Sequence, residues 1–289
     1  MNFWKPSARR GFNAAQFSPF LFKLRAPHNA ICGFALFAQF SRLPAWLAWE
    51  TFGRGNGCPS FESMRDRIER IRRRIGYQVG PESEFIGCVL LIAPVLFPPA
   101  AWIPQPEDWP VRTQTDKRYD LSAGVGRQLW ERCLAVARDL RVDPVGSPSL
   151  RVVEVGPRYG EPVLVKPRLG QGTFRIGVTD AYARACAVTG EHSLPVLDAA
   201  HIQPYGEGGP HRISNGVLLR SDLHRLFDKG YVTITTDLRL QVSDRLRKEY
   251  RNGRTYYPFH DRELYVPRTA ADRPDPAFLR WHNQHVFAA

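Results

Sequence analysis

The sequence predicts an α+β protein built in two parts. Three observations carry this. Apolar, aromatic-rich runs of strand length recur in the first hundred residues, as in PFLFKLRAP (19–27), AICGFALFAQF (30–40) and IGCVLLIAPVLF (86–97). Helix-period segments are interspersed with them rather than alternating in a regular strand–helix rhythm. The length of 289 residues suits two domains of ordinary size, and the Pro/Gly-rich VDPVGSPS (142–149) offers a boundary.

In chain order, 19–27 and 30–40 read as adjacent strands separated by the turn signal PHN. LPAWLAWETFG (43–53) reads as a short helix stopped by Gly53. SFESMRDRIERIRRRIG (60–76) is the clearest helix. Ser60 can cap its start, and Met64, Ile68, Ile71 and Ile75 recur at helical spacing. Its six arginines form either a solvated face or a phosphate-contacting ridge. After the strand at 86–97, IPQPEDWPV (103–111) reads as a loop and GVGRQLWERCLAVARDL (124–140) as an amphipathic helix. VVEVGPRYGEPVLVKPRLGQGTFR (152–175) reads as a hairpin and connector, followed by a helix near 177–185. The domains expected are therefore 1–148, a connector 149–180, and 181–289.

Composition narrows the function classes. The formal net charge is +12, with most of the excess before residue 180, which favours a polyanionic partner. Five scattered cysteines without a C-x-x-C pair argue against a disulfide framework and against structural zinc, and fit a reducing cytoplasm. The most apolar stretch, 86–102, is too short to cross a bilayer and is broken by Pro94, Pro98 and Pro99, so no membrane association is expected. SARRGF (7–12) has twin arginines, but Gln16, Lys23 and Arg25 interrupt what would be an apolar signal region.

Chemistry concentrates in LDAAHIQPYGEGGPHRISNGVLLRSDLHRLFDKG (197–230). VLDAAHI (196–202) and SNGVLLR (214–220) read as strands around a Gly-rich loop. SDLHRLFDKG (221–230) reads as a helix with Ser221 as cap and Gly230 as stop. This order brings His201, Asn215, His224 and Asp228 toward one place. His224 and Asp228 are four residues apart, on one helix face, where an imidazole and a carboxylate can share a divalent cation. Taken singly, His224 reads as a hydrogen-bonded helix residue, Asn215-Gly216 as a turn and Asp222 as a helix-start acid. Only their order and spacing favour a site.

The motif HI-x-P at 201–204, the Gly-rich loop, Asn215-Gly216 and D-L-H-R-L-F-D-x-G at 222–230 resemble the HNH nuclease family, whose fold is called ββα-metal. CAVTG (186–190) is similar to the lead-in of one HNH subgroup, and the likeness spans roughly 165–265. The resemblance implies a C-terminal HNH domain and an endonuclease. In it, His201 would be general base, Asn215 would orient the base or pin the loop, and His224 and Asp228 would hold Mg²⁺ or Mn²⁺. One position departs from the pattern: Ala200 stands where many members have an acidic ligand. Asp198, two residues back on the same strand face, is the substitute candidate. His211, Arg212, Arg220 and Arg225 are candidate DNA contacts, while His282 and His285 in the terminal helix PAFLRWHNQHVF (276–287) read as packing or solvent residues.

The N-terminal FLFKLRAPHNAICGFALFAQF with AWETFG weakly resembles PUA-like barrels, including the EVE group that reads modified bases. That resemblance implies a mixed β-barrel-like domain with helices, with Trp46, Trp49 and Phe52 as base-reader candidates and DNA carrying modified cytosine as partner. NFWKPS looks like the middle of such a domain, which implies a strand upstream of it. For most of its aromatics, including Phe37, Phe40, Trp102 and Trp109, a packed core is the plainer reading. Two other readings stand beside the restriction-type endonuclease: a DNA-binding or sensor protein whose HNH module no longer cuts, motivated by Ala200, and a structured-RNA nuclease. Double-strand cutting would need a homodimer or two sequential nicks, and the sequence favours neither.

Overall fold

The computed structural model describes residues 1–78, 80–109, 117–140 and 170–287. Internal contacts divide the chain into Met1–Pro167 and Arg168–Ala289. The boundary segment 142–149 and most of the expected hairpin at 152–175 lie outside the described residues.

The first unit is an antiparallel sheet with helices. Its strands are β1 (Asn2–Lys5), β2 (Pro19–Lys23), β3 (Ala30–Pro44), β4 (Phe85–Leu96) and β5 (Ile103–Pro104), in the order β1-β4-β3-β2, with β5 pairing the start of β3. The apolar runs read as adjacent strands do pair. β3 is longer than its sequence pattern, because Ser41–Pro44 finds partners in Phe85–Cys88. Two register shifts bend this long ladder. The sheet curls far enough that Phe3 and Phe20, on the two edge strands, come within 5.3 Å between ring centres. Phe12 fills the concave side against Phe20 and Phe37. The result is a half-barrel with an aromatic lining.

Helix α1 (Ala45–Phe52) ends at Gly53, whose φ of 47° suits glycine. Helix α2 (Phe61–Arg74) starts at Ser60, whose hydroxyl accepts from the Ser63 amide. Met64 and Ile68 are buried, whereas Ile75, at the same spacing, lies just past the helix and is exposed. Among the arginines, Arg72 turns inward and donates to the carbonyls of Pro6, Ser83 and Phe85, tying the helix to the sheet. Helix α3 (Gly124–Asp139) lays Leu129 and Cys133 on Ile31, Phe34, Val95 and Ile103. Among the described residues no helix is long and apolar enough to cross a membrane.

The second unit opens with α4 (Gln171–Ala181), which starts earlier than the helix expected near 177–185 and replaces the end of the expected hairpin. Its Phe174 and Val178 belong to the core of the unit, so 171–180 is packed helix rather than connector. A hairpin of β6 (Leu197–His201) and β7 (Gly216–Arg220) follows, then α5 (Ser221–Asp228). Strands β8 (Val232–Ile234) and β9 (Leu240–Val242), helix α6 (Arg245–Tyr250) and helix α7 (Pro276–His285) complete it. Helices α4 and α5 both pack on the β6–β7 hairpin.

His282 of α7 is 2% exposed and stacks on Phe227 at 3.7 Å. Its Nε2 meets the Phe227 carbonyl at 3.1 Å, and its Nδ1 meets the Thr233 hydroxyl at 2.8 Å, which donates to Asn283 Oδ1 at 2.5 Å. Burial lowers its pKa to about 4. In the unfolded chain the ring titrates near 6.5 (~6.5). Between these values the unfolded state binds the extra proton, so stability rises with pH through that window and is lost as pH falls toward 4. Wild type is therefore expected to lose about 3 kcal/mol more than His282→Gln between pH 7 and pH 4. Urea unfolding at a series of pH values tests this, and parallel stability curves for the two proteins would disprove it.

Candidate active site

The β6–β7 register sets the site. His201 pairs with Gly216, and Ala200 with Val217. Side chains alternate along the strand, so His201 faces one helix while Asp198 and Ala200 face the other. On the first face, the His201 imidazole stacks on Phe174 of α4, with ring centres 3.8 Å apart and planes 12° from parallel. Gly216 makes this possible. A Cβ there would stand 2.4 Å from Val178 Cγ2 and 2.9 Å from Phe174 Cζ. Its φ of −130° is ordinary, so the glycine is required by the closeness of α4 and not by a turn.

His201 Nε2 lies 2.9 Å from Nδ1 of His211, and the His211 ring stacks on Tyr205 at 4.5 Å. Burial, then the charges of His211 and His224, hold the His201 pKa down to about 4. The ring is neutral near pH 7, as a general base must be.

Asn215 fixes the loop that carries these histidines. It is 0% exposed. Its Oδ1 accepts from the Gln203 amide at 2.9 Å, and its Nδ2 donates to the carbonyls of Gln203 at 2.9 Å and Pro210 at 3.0 Å. Among the described residues these contacts all go to loop backbone.

On the other face, His224 stands between two carboxylates. Its Nδ1 is 3.4 Å from Asp198 Oδ2 and its Nε2 is 3.3 Å from Asp228 Oδ2. Asp228 has its pKa raised, first by burial and then by the Asp198 charge, against the opposing pull of His224. Among the described residues no group of three His, Cys, Asp or Glu side chains is placed to hold a metal ion as it stands. The donor types nevertheless fit a hard divalent cation: two carboxylates and an imidazole, with one carboxylate destabilised by the other.

The remaining candidates separate by environment. Arg220 is engaged by Asp222 through Nε at 2.7 Å and Nη2 at 2.8 Å, and this pairing holds the Asp222 carboxyl below its usual range. Arg220 is also the residue that precedes α5. Ser221 is the first helical residue rather than the cap, and no side chain caps this helix. Arg212 and Arg225 are exposed. Trp46, Trp49 and Phe52 lie half-buried on α1, in the first unit. Cys186 is buried and accepts from the Arg220 amide at 3.3 Å. His285 is a surface residue stacked on Trp281.

Two members of the site are not legible in the sequence in the place they take: Phe174 has no signal, and His211 reads as a DNA contact rather than a partner of His201. Phe174 lies far upstream in a segment that reads as connector. His211 is a loop histidine, but Pro210 beside it is tied to Asn215, a link that only the folded loop shows.

Residues 186–235 match the family model for HNH endonucleases. This stretch is similar to HNH endonucleases. The match contains His201, Asn215, His224 and Asp228. No curated protein matches the chain. A solved structure to which it is similar is titled a modification dependent TagI restriction endonuclease. The two are 24% identical, over 39% of this chain and 37% of that one, with a TM-score of 0.27. The chain thus aligns with little more than a third of that structure's length.

Proposed function

We propose that the protein is a divalent-metal-dependent DNA endonuclease of restriction type. Its HNH module would have the ββα-metal layout in β6, β7 and α5, and its N-terminal half-barrel would select the target. The observation that carries this is the placing of a neutral His201 and an Asp198–His224–Asp228 cluster on one short hairpin and its helix, inside the HNH-matched segment.

In this reading His201 takes a proton from water as the water oxygen attacks phosphorus and the bond to the leaving oxygen breaks. Phe174 fixes the plane of the imidazole, and Asn215 fixes the loop beside it. His224 with Asp228 or Asp198 would hold Mg²⁺ or Mn²⁺. The second carboxylate would accept from the other ring nitrogen, as outer-shell carboxylates do for metal-bound histidines. When bound, the cation supplies charge stabilisation to the phosphate and the leaving oxygen. Arg212 and Arg225 are exposed, beside His211 and His224, and would contact phosphates. His211 and Arg220 are already engaged, with His201 and Asp222. Trp46, Trp49 and Phe52 would read the target base, with modified cytosine the favoured class. Two copies of the chain, or two successive nicks, would complete a double-strand cut.

Cleavage of plain and 5-methylcytosine-containing DNA in magnesium, manganese and EDTA tests the reading. Cutting in either metal, abolished by EDTA and confined to modified DNA, is the expected result. Equal cutting of both DNAs would remove the modified-base reader. Ala200 in place of an acidic ligand favours a second reading, a DNA-binding sensor. Tight binding with no cutting in any metal would select it.

A further inference from the structure

The contact between His201 and His211 is not explained by the general-base role alone. The 2.9 Å separation of His201 Nε2 and His211 Nδ1 holds one proton between two ring nitrogens. Among the described residues, Nδ1 of His201 has no hydrogen-bond partner. Two arrangements satisfy the pair. If His211 donates, the single proton of neutral His201 sits on Nδ1, and both His201 nitrogens are spent. If His201 donates through Nε2–H, its Nδ1 keeps a lone pair that can take a proton from water.

The surroundings hold this pair rigidly. His201 lies flat on Phe174, and His211 lies flat on Tyr205, with planes 12° and 5° from parallel. The loop between them is pinned at both ends by Asn215, at Gln203 and at Pro210. His211 directly follows Pro210, so the Asn215 amide sets where the His211 ring starts.

We propose that His211 is a positioning residue for His201: its Nδ1 accepts from His201 Nε2–H and so fixes the tautomer whose Nδ1 can accept a proton from water. Once His201 has taken that proton it is an imidazolium, and the same bond becomes charge-assisted, roughly twice as strong as a neutral one. As a neutral acceptor His211 thereby stabilises the product of the proton transfer without touching substrate, whereas a protonated His211 opposes it. The proposal rests on the nuclease reading and adds a role that reading does not require.

Two variants test it. His211→Phe keeps a ring for Tyr205 and removes the acceptor. His211→Asn offers an amide oxygen near the lost Nδ1. Each is compared with wild type by DNA affinity, by single-turnover cleavage of plasmid DNA with and without 5-methylcytosine in magnesium, and by the ¹⁵N shifts of the His201 ring. His211→Phe should cut about 10- to 100-fold more slowly, by analogy with the loss of an outer-shell partner that orients a metal-bound histidine. Its DNA affinity should be unchanged, and the His201 tautomer should shift from Nε2–H toward a mixture. His211→Asn should regain part of the rate and the Nε2–H signature. An unaltered rate and tautomer in His211→Phe would overturn the proposal. So would weaker DNA binding with an unaltered single-turnover rate, which would make His211 a phosphate contact. If wild type cuts no DNA, the nuclease reading fails, and the ¹⁵N tautomer comparison still decides the pairing.

Discussion

His201→Ala should cut DNA at least about 10²- to 10⁴-fold more slowly than wild type while binding it equally well, the range expected for loss of a positioned general base. The loss should lie in the chemical step if His201 is the base, as proposed. It is neutral near pH 7, flat on Phe174 and, among the described residues, hydrogen-bonded at one nitrogen. Its removal leaves the cluster on the opposite strand face in place, since Asp198 and Asp228 each pair with His224 and, among the described residues, no hydrogen bond or ion pair joins them to His201. A cavity beside Phe174 is the structural cost. A melting curve must therefore accompany the assay, and added imidazole, which fits such a space, should restore part of the rate. Single-turnover cleavage in magnesium and a DNA-binding isotherm make the measurement. Full activity in His201→Ala would end its assignment as base. Lost binding with a lowered melting temperature would mean that the site had collapsed.

What the sequence reveals of this site follows from how local each interaction is. The α2 cap at Ser60 and the α1 stop at Gly53 rest on neighbouring residues, and both appear where the pattern puts them. His224 and Asp228 share a helix face by spacing alone. Features made by distant contacts read poorly. β3 runs on to Pro44 because β4 supplies partners about half a domain away in sequence. α4 begins at Gln171 because Phe174 and Val178 find a core in β6 and β7, although glycines at 170, 172 and 177 argue locally against a helix. Gly216 reads as half of an Asn-Gly turn, yet its φ is that of a strand and its lack of a side chain serves Phe174. The departure at Ala200 shows the same limit. The alternation of the strand puts Asp198 on the correct face, and only the fold shows that it reaches His224.

Asn215→Asp should destabilise the second unit by about 3–5 kcal/mol at neutral pH, the cost of an uncompensated buried charge. The substitution keeps size and shape. Oδ1 can still accept from the Gln203 amide, but the other oxygen replaces the nitrogen that donates to the Gln203 and Pro210 carbonyls. A carboxylate with 0% exposure would then face two carbonyl oxygens. Burial and those oxygens raise the folded pKa of the new group above its unfolded value of about 3.9 (~3.9). The deficit relative to wild type should therefore be largest above the folded pKa. It should shrink as pH falls toward 4, where the protonated carboxyl can donate to one of the carbonyls. Cleavage should fall with the loop, because Pro210 and the His211 that follows it lose their anchor. Urea unfolding of wild type and Asn215→Asp at pH 4.5 and 7.5, with cleavage at the higher pH, separates the two roles that the HNH resemblance left open. An asparagine that only oriented the base could be replaced by aspartate without the full cost of a buried, unpaired carboxylate. An asparagine that holds a loop by donating to two carbonyls cannot, and that is the set of contacts Asn215 makes.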